Sequence, residues 1–251
     1  MTASRAEDGA ARTGGTPFNQ SVERAVAMLG FFSPEEAELT LADLTERLGT
    51  SKATTHRYAM ALRRVGLLRY DSGVYTLGPR IVELAATALA GLRIIQIAGP
   101  HMERLVADAN ETVVLSIWDG RNPVVVREED NTDRVVRIVV RRGTRLPLSS
   151  AQGKVFSAFS SEVREQPLSA RELARIRSTR ISVNSVVVEG IRAIATPVFQ
   201  DREPAAALAV VGTTAGVSAD PRSPLARRLI RAAEELSADL GFIHSERSAT
   251  S

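Results

Sequence analysis

Between Leu41 and Leu77 the chain reads LADLTERLGTSKATTHRYAMALRRVGLLRYDSGVYTL, and its apolar spacing leaves few folds open. Leu41, Leu44 and Leu48 recur at helical intervals and give way to Gly49. A second helix is expected from Ser51, a natural cap, to the stop at Gly66. Thr55, Tyr58, Ala59 and Leu62 form its inward stripe. At about 100° per residue the opposite face carries Ala53, Arg57, Met60 and Arg64, flanked by Thr54 and His56. Leu67 to Tyr70 and Val74 to Leu77 then read as a hairpin around Asp71-Ser72-Gly73. The combination is a winged helix-turn-helix.

The charge of this stretch is lopsided. Seven basic residues stand between Arg47 and Arg80 (Arg47, Lys52, Arg57, Arg63, Arg64, Arg69, Arg80) against one acid, Asp71, a net +6 where the whole chain is +3. Such a local field suits a polyanion, and double-stranded DNA is the obvious one. In that reading the second helix enters the major groove. Ser51 to Thr54 approach phosphates and base edges, and Arg57 is placed to bond a guanine edge bidentately. Lys52, Arg63, Arg64 and Arg69 contact phosphates, Ser72 and Gly73 at the wing tip reach backbone or minor groove, and His56 sits at the margin.

A helix from Ser21 to Phe32, capped by Ser21, is expected ahead of this unit, and Gly78-Pro79 ends it. Ile81, Leu84, Ala85, Ala88, Leu89 and Leu92 then stripe a linker helix. That stripe suits packing on its own domain as well as a seam between two copies of the chain. After a break at Gly99-Pro100 and a helix to about Ala109, strands are expected at Glu111–Trp118, Pro123–Glu128 and Arg134–Arg141. Helices follow near Ser150–Phe159 and Arg171–Arg177, then strands at Ile191–Phe199 and Pro204–Val211. A last helix starts at Ser223-Pro224 and ends at Gly241. The class is α+β, with helices on the faces of an antiparallel sheet.

The expected organisation is a disordered tail over 1–17, a DNA-binding domain over 18–79 and a linker helix over 80–92. A ligand-binding and oligomerisation domain over 93–243 and a second tail over 244–251 complete it. No apolar run reaches bilayer-spanning length, the N-terminus lacks the apolar stretch of a signal peptide, and there is no cysteine. A cytoplasmic protein without membrane contact is the expectation.

These residues match a known pattern. SVERAVAML, LADLTERLGTSKATTHRYAMALRRVGLL and DSGVYTLGPRIVELA resemble the first helix, helix-turn-helix and wing of the IclR family of bacterial transcriptional regulators. RRGTRLPLSSAQGKVFSAF and VEGIRAIATPVF resemble its two effector-domain motifs. The resemblance implies a GAF-like effector domain behind the winged helix, and a homodimer or homotetramer on palindromic operators. The chain departs from the family pattern mainly in the second half, between Phe159 and Ile181, in LPLSSAQGK, at Asn184 to Glu189, and at Ala193 where a cysteine is common.

The effector set that follows combines this resemblance with the chemistry of a helix start. Ser149, Ser150, Ala151 and Gln152 lead into a helix whose free amides suit carboxylate oxygens. Asn184 and Ser185 are placed opposite as neutral partners, with Trp118, Ala193 and Ile194 as walls. The loss of acids there favours an anionic or neutral effector over a cationic one.

Catalytic patterns are missing. Gly153-Lys154 lacks the phosphate-loop glycine, since Leu148 stands there, and the next residue is Val155 rather than Ser or Thr. His56, His101 and His244 are scattered, with no zinc-protease spacing and no nucleophile elbow. Neither enzyme chemistry nor a cofactor or metal is expected. The alternative to a ligand-responsive regulator is a DNA-binding protein whose second domain only oligomerises.

Overall fold

The computed structural model describes residues 19–130, 138–164, 166–184 and 189–242. The tails expected at 1–17 and 244–251, positions 134–137 of the expected third strand, and Ser185 lie outside the described residues. The chain divides into two compact units, one ending at Leu84 and the other beginning at Ala85.

The first unit contains α1 (Gln20–Leu29), α2 (Leu41–Leu48), α3 (Lys52–Arg64) and a small antiparallel sheet. Its strands β1 (Leu39–Thr40), β2 (Leu68–Asp71) and β3 (Val74–Leu77) lie in the order β1-β3-β2. The expected span of α1 is corrected at both ends. Asn19, as good a cap as serine, accepts the Ser21 and Val22 amides at 3.2 and 3.4 Å. Gly30 closes the helix, which frees Phe31 and Phe32 to pack against the core. Strand β1 had no sequence signal, because two residues are too few to show an alternation.

The turn between α2 and α3 is built from local chemistry. Thr40 and Asp43 form a reciprocal capping box: the Asp43 amide donates to Thr40 Oγ1 at 3.3 Å and the Thr40 amide to Asp43 Oδ2 at 2.8 Å. Gly49 ends α2 at φ 62°, where a side chain would be strained. Ser51 then caps α3. Met28, Leu39, Leu44, Tyr58, Ala59, Leu62, Leu68 and Tyr75 meet as the core of this unit, which locks α3 by its inner face.

Helix α4 (Pro79–Gly91) runs across the division between the units, and α5 (Arg93–Ala109) opens the second. The break expected at Gly99-Pro100 does not occur; α5 continues through it. Proline removes a ladder bond and crowds the preceding turn. The carbonyl that Pro100 leaves without its helical donor is that of Gln96; beside it, Arg127 donates to the Ile95 carbonyl at 3.2 Å, and Gly99 leaves room for that guanidinium. A five-stranded antiparallel sheet follows, ordered β5-β4-β8-β7-β6. Its strands are β4 (Thr112–Trp118), β5 (Pro123–Glu129), β6 (Ser182–Asn184), β7 (Ile191–Gln200) and β8 (Glu203–Thr213). Helices α6 (Ala151–Phe159), α7 (Ala170–Thr179) and α8 (Pro224–Asp239) complete the unit.

The third strand expected at 134–141 is not formed in its described part, Ile138 to Arg141. Side chains hold that segment instead: Thr112 Oγ1 donates to the Ile138 carbonyl at 2.7 Å, and the Val140 amide donates to Glu128 at 3.1 Å. The outer edge of β5 is met by the following turn, where the Val125 amide donates to the Thr144 carbonyl at 3.0 Å and the Gly143 amide to the Val125 carbonyl at 2.8 Å.

Strand alternation sorts the sheet into two faces. On one, Val113, Leu115, Ile194, Val198, Leu208 and Val210 pack with α5 and α8. On the other, α6 lays Ala151, Val155 and Phe156 on Ala195, Ala207 and Ala209. Alanines under α6 allow the helix to sit close to the sheet.

Candidate nucleic-acid interface and ligand pocket

Helix α3 has two chemically opposite sides. Thr55, Tyr58, Ala59 and Leu62 are buried, while Lys52, Ala53, His56, Arg57, Met60, Arg63 and Arg64 are exposed. At its start the Thr54 amide donates to Ser51 Oγ at 3.3 Å, and the two hydroxyls bond each other at 3.0 Å. Thr55 is fastened from beneath by Thr50 Oγ1 at 3.0 Å. The helix is therefore anchored at its first turn and along its inner stripe, with its outer side turned to solvent.

Not all seven cations of this region serve that surface. Arg47 grips Glu36 through both nitrogens, at 2.8 and 3.0 Å, and donates to the Phe31 carbonyl at 3.2 Å. The hydrogen bond and charge of Arg47 hold the Glu36 carboxyl below the usual carboxylate range, and Arg47 is raised in turn. Arg80 pairs with Glu83 at 2.8 Å. The remaining five, Lys52, Arg57, Arg63, Arg64 and Arg69, form no ion pair among the described residues. The exposed field is thus concentrated on α3 and the start of the wing.

The wing turn puts Ser72 and Gly73 at φ 48° and 92°, as a tight hairpin requires, and both are exposed. Its strand β2 carries Tyr70, which the sequence reading overlooked. The Tyr70 ring meets Tyr75 at 4.7 Å, and the Arg63 guanidinium lies 5.8 Å from its centre. Arg57 lies 5.7 Å from the Tyr58 ring. An aromatic next to Arg69 was visible in the sequence, but not the cross-element contact that joins it to Arg63.

The residues expected to bind an effector are brought together in part. Trp118, Ala151 and Ala193 belong to one cluster under α6, and Asn184 stands in register with Ala193. Ile194 does not: it points to the opposite face, among α5 and α8, so it cannot wall a pocket that Ala193 lines. The reason is pleat alternation, which separates neighbours in a strand. Ser149 is exposed, and Ser150 is buried with its Oγ accepting the Gly153 amide at 2.9 Å. Ala151 and Gln152 are buried as well, and Ser182 Oγ donates to the Ala151 carbonyl at 2.6 Å. A Cβ on Gly153 would stand 2.5 Å from the Pro147 carbonyl oxygen and 2.6 Å from Leu148 Cα, so α6 begins in tight contact with the segment leading into it. Trp118 also lines an open cavity of about 750 Å³, shared with the β4–β5 turn and the stretch after α6.

Residues 21–72 match the IclR helix-turn-helix domain, and residues 86–185 match the C-terminal domain described as bacterial transcriptional regulator IclR. The HTH-type transcriptional regulator KdgR of Dickeya chrysanthemi is 31% identical over 234 residues, covering 83% of this chain and 76% of that protein. The HTH-type transcriptional regulator XynR of Escherichia coli (strain K12) is 29% identical over 251 residues, 90% of this chain and 99% of that protein. An IclR homolog from Microbacterium hydrocarbonoxydans, solved in complex with 4-hydroxybenzoate, superposes with a TM-score of 0.71 at 26% identity, covering 88% of this chain and 99% of the other. With a winged helix carrying an exposed cationic face, a separate antiparallel-sheet domain and both domain matches in order, the chain belongs to the IclR family of DNA-binding transcriptional regulators.

Proposed function

We propose that α3 inserts into the major groove of an operator, that the wing flanks it, and that a small anionic effector bound by the second unit modulates the complex. The observation that carries the first part is the division of α3 into a packed inner stripe and an outer face of cations that form no ion pair among the described residues. Arg57 is the base reader in this scheme. Lys52, Arg63, Arg64 and Arg69, with Ser51, Thr54 and His56, position the helix on phosphates, and Ser72 and Gly73 approach the backbone from the wing.

The assembly we infer is a homodimer, or a homotetramer built from dimers, joined through the linker helix. None of the residues of α4 is buried, and Leu84 and Leu89 of its stripe are 52% and 44% exposed. An apolar stripe left open in the single chain supports a seam with a second copy over packing on its own domain. Effector binding would act by favouring one dimer geometry and so one half-site spacing. Such a regulator works where the chromosome is, in the bacterial cytoplasm; no single helix among the described residues is long and apolar enough to cross a membrane.

The homolog solved with 4-hydroxybenzoate supports a carboxylate-type effector. The alternative, a second domain that only oligomerises, draws on the close packing of Ala151, Gln152 and Gly153. The test is binding of labelled fragments from the chain's own genome by fluorescence anisotropy across a salt series, with and without small carboxylates. Salt-sensitive, sequence-preferring affinity is expected. Affinity equal on every fragment would reject operator recognition, and an operator complex indifferent to every carboxylate would favour the oligomerisation-only reading.

A further inference from the structure

We infer that the cavity beside Trp118 is a binding site for a small organic anion with a flat apolar body. The inference deepens the sensor reading of the second unit and rests on it. A volume of about 750 Å³ lies within the range that takes metabolite-sized ligands. Trp118, Leu148 and Val163 supply apolar wall, with the Trp118 ring braced by Phe156 at 5.4 Å. Arg121 and Arg164 line the same space against one carboxylate, Glu162. The two arginines come from segments far apart in sequence, and neither forms an ion pair among the described residues.

The cavity has a built frame. The Arg121 and Asn122 amides donate to Asp119 Oδ1 at 2.8 and 2.7 Å, and Arg145 pairs with the other Asp119 oxygen at 2.8 Å. Asp119 is thereby engaged in shaping the turn and does not oppose an incoming anion. Asn122 Nδ2 ties the turn to the Leu146 carbonyl at 3.1 Å. On the far side, the Ser161 amide and hydroxyl bond Glu203 at 3.2 and 2.8 Å. The turn that presents Arg121 and the segment at Ser161 are therefore held before any ligand arrives, which lowers the ordering cost of binding.

Among the described residues, two buried donors in this part of the sheet have no partner. Trp118 Nε1 and Ser116 Oγ are both without a hydrogen bond. They alternate along β4 on the side of Val114, opposite Val113 and Leu115, and so face α6. A buried donor left unmatched is costly and uncommon in native proteins. Ser116 is fully buried and does not line the cavity, so recognition rests on the other walls: the ligand's carboxylate lies toward Arg121 and Arg164 and its ring along Trp118.

Trp118 is the only tryptophan in the chain, so its emission reports on this cavity directly. The full-length protein is titrated with benzoate, with its neutral isostere benzamide and with inorganic phosphate, while operator affinity is measured on the same samples. Benzoate is expected to change the emission saturably, with benzamide and phosphate at least about tenfold weaker. Replacing both arginines (Arg121→Gln with Arg164→Gln) is expected to weaken benzoate by about tenfold or more without lowering the melting temperature. No saturable response to benzoate, phenylacetate or cyclohexanecarboxylate would overturn the inference, as would a response unchanged in the double variant or matched by phosphate. A carboxylate that alters operator affinity without touching Trp118 emission also overturns it, yet leaves the sensor reading intact. An arginine-dependent emission change that leaves operator affinity alone upholds the site and rejects its role as the sensor.

Discussion

Helices α3 and α6 each begin at a capping serine and each bury one face, yet they put their chemistry in different places. Helix α3 packs Thr55, Tyr58, Ala59 and Leu62 inward and leaves a cationic side in solvent. Helix α6 buries Ala151, Gln152, Gly153, Val155, Phe156, Ser157 and Ala158, so almost nothing of it is free to meet a partner. Its surroundings carry the chemistry instead, in the cavity that Trp118 shares with Arg121 and Arg164. One unit presents its function on the outer face of a single helix. The other encloses it between segments that only folding brings together.

That contrast can be tested in order of effect size. Leu44 is fully buried in the core of the first unit, so Leu44→Ala should cost about 2–5 kcal/mol. Helix signal by circular dichroism should show a lowered first transition, while Trp118 emission, which reports the second unit, keeps its midpoint. Joint lowering of both would mean the units do not unfold separately.

On the binding surface, Arg57→Ala should lose about 1–3 kcal/mol on operator DNA and far less on random DNA. Lys52→Ala should instead weaken both alike and reduce the salt slope by about 1. Equal losses on both DNAs for the Arg57 variant would remove its role as a reader.

A smaller change is expected from the cap of α2. Thr40→Ala removes the hydroxyl that accepts the Asp43 amide, leaves the backbone arm to Asp43 in place, and should cost about 1 kcal/mol, confined to the first transition. The smallest is a pH effect. Burial pushes the Asp119 carboxyl upward, but hydrogen bonds from the Asn122 and Arg121 amides, with Arg145, outweigh it and hold it below the usual range. A carboxyl depressed on folding stabilises the native state above its unfolded pKa, and that contribution fades as pH falls through the folded value. The second transition should therefore drop on acidification below the ordinary carboxylate range, and less steeply in Asp119→Asn. An identical acid profile in the variant would exclude Asp119 as a source of the effect.

Legibility followed the same division. The inner stripe of α3 was readable to the residue, because helical period and burial coincide there. The wing turn was readable because Asp71-Ser72-Gly73 is itself a turn sequence. The sum of seven cations overstated the surface, since Arg47 belongs to Glu36 and Arg80 to Glu83, partners that charge counting along the chain does not reveal. Gly99-Pro100 misled because the helix there packs on the sheet, where Arg127 of a distant strand fits against Gly99 and bonds the Ile95 carbonyl. The described end of the third strand, Ile138 to Arg141, misled because an apolar, β-branched segment needs a free sheet edge to become a strand, and a neighbouring turn meets β5.

In elements such as α3, local periodicity settled which side avoids water, and local charge settled that one exposed side would carry cations. Both are properties of residues within a few turns of one another. Which residues face each other across space was left to packing: Ile194 turned away from Ala193, the start of α6 closed against Pro147 and Leu148, and Arg121 met Arg164 around Trp118. Those pairings depend on the order of strands in the sheet and on loops that join distant segments, and no repeat along the chain encodes them.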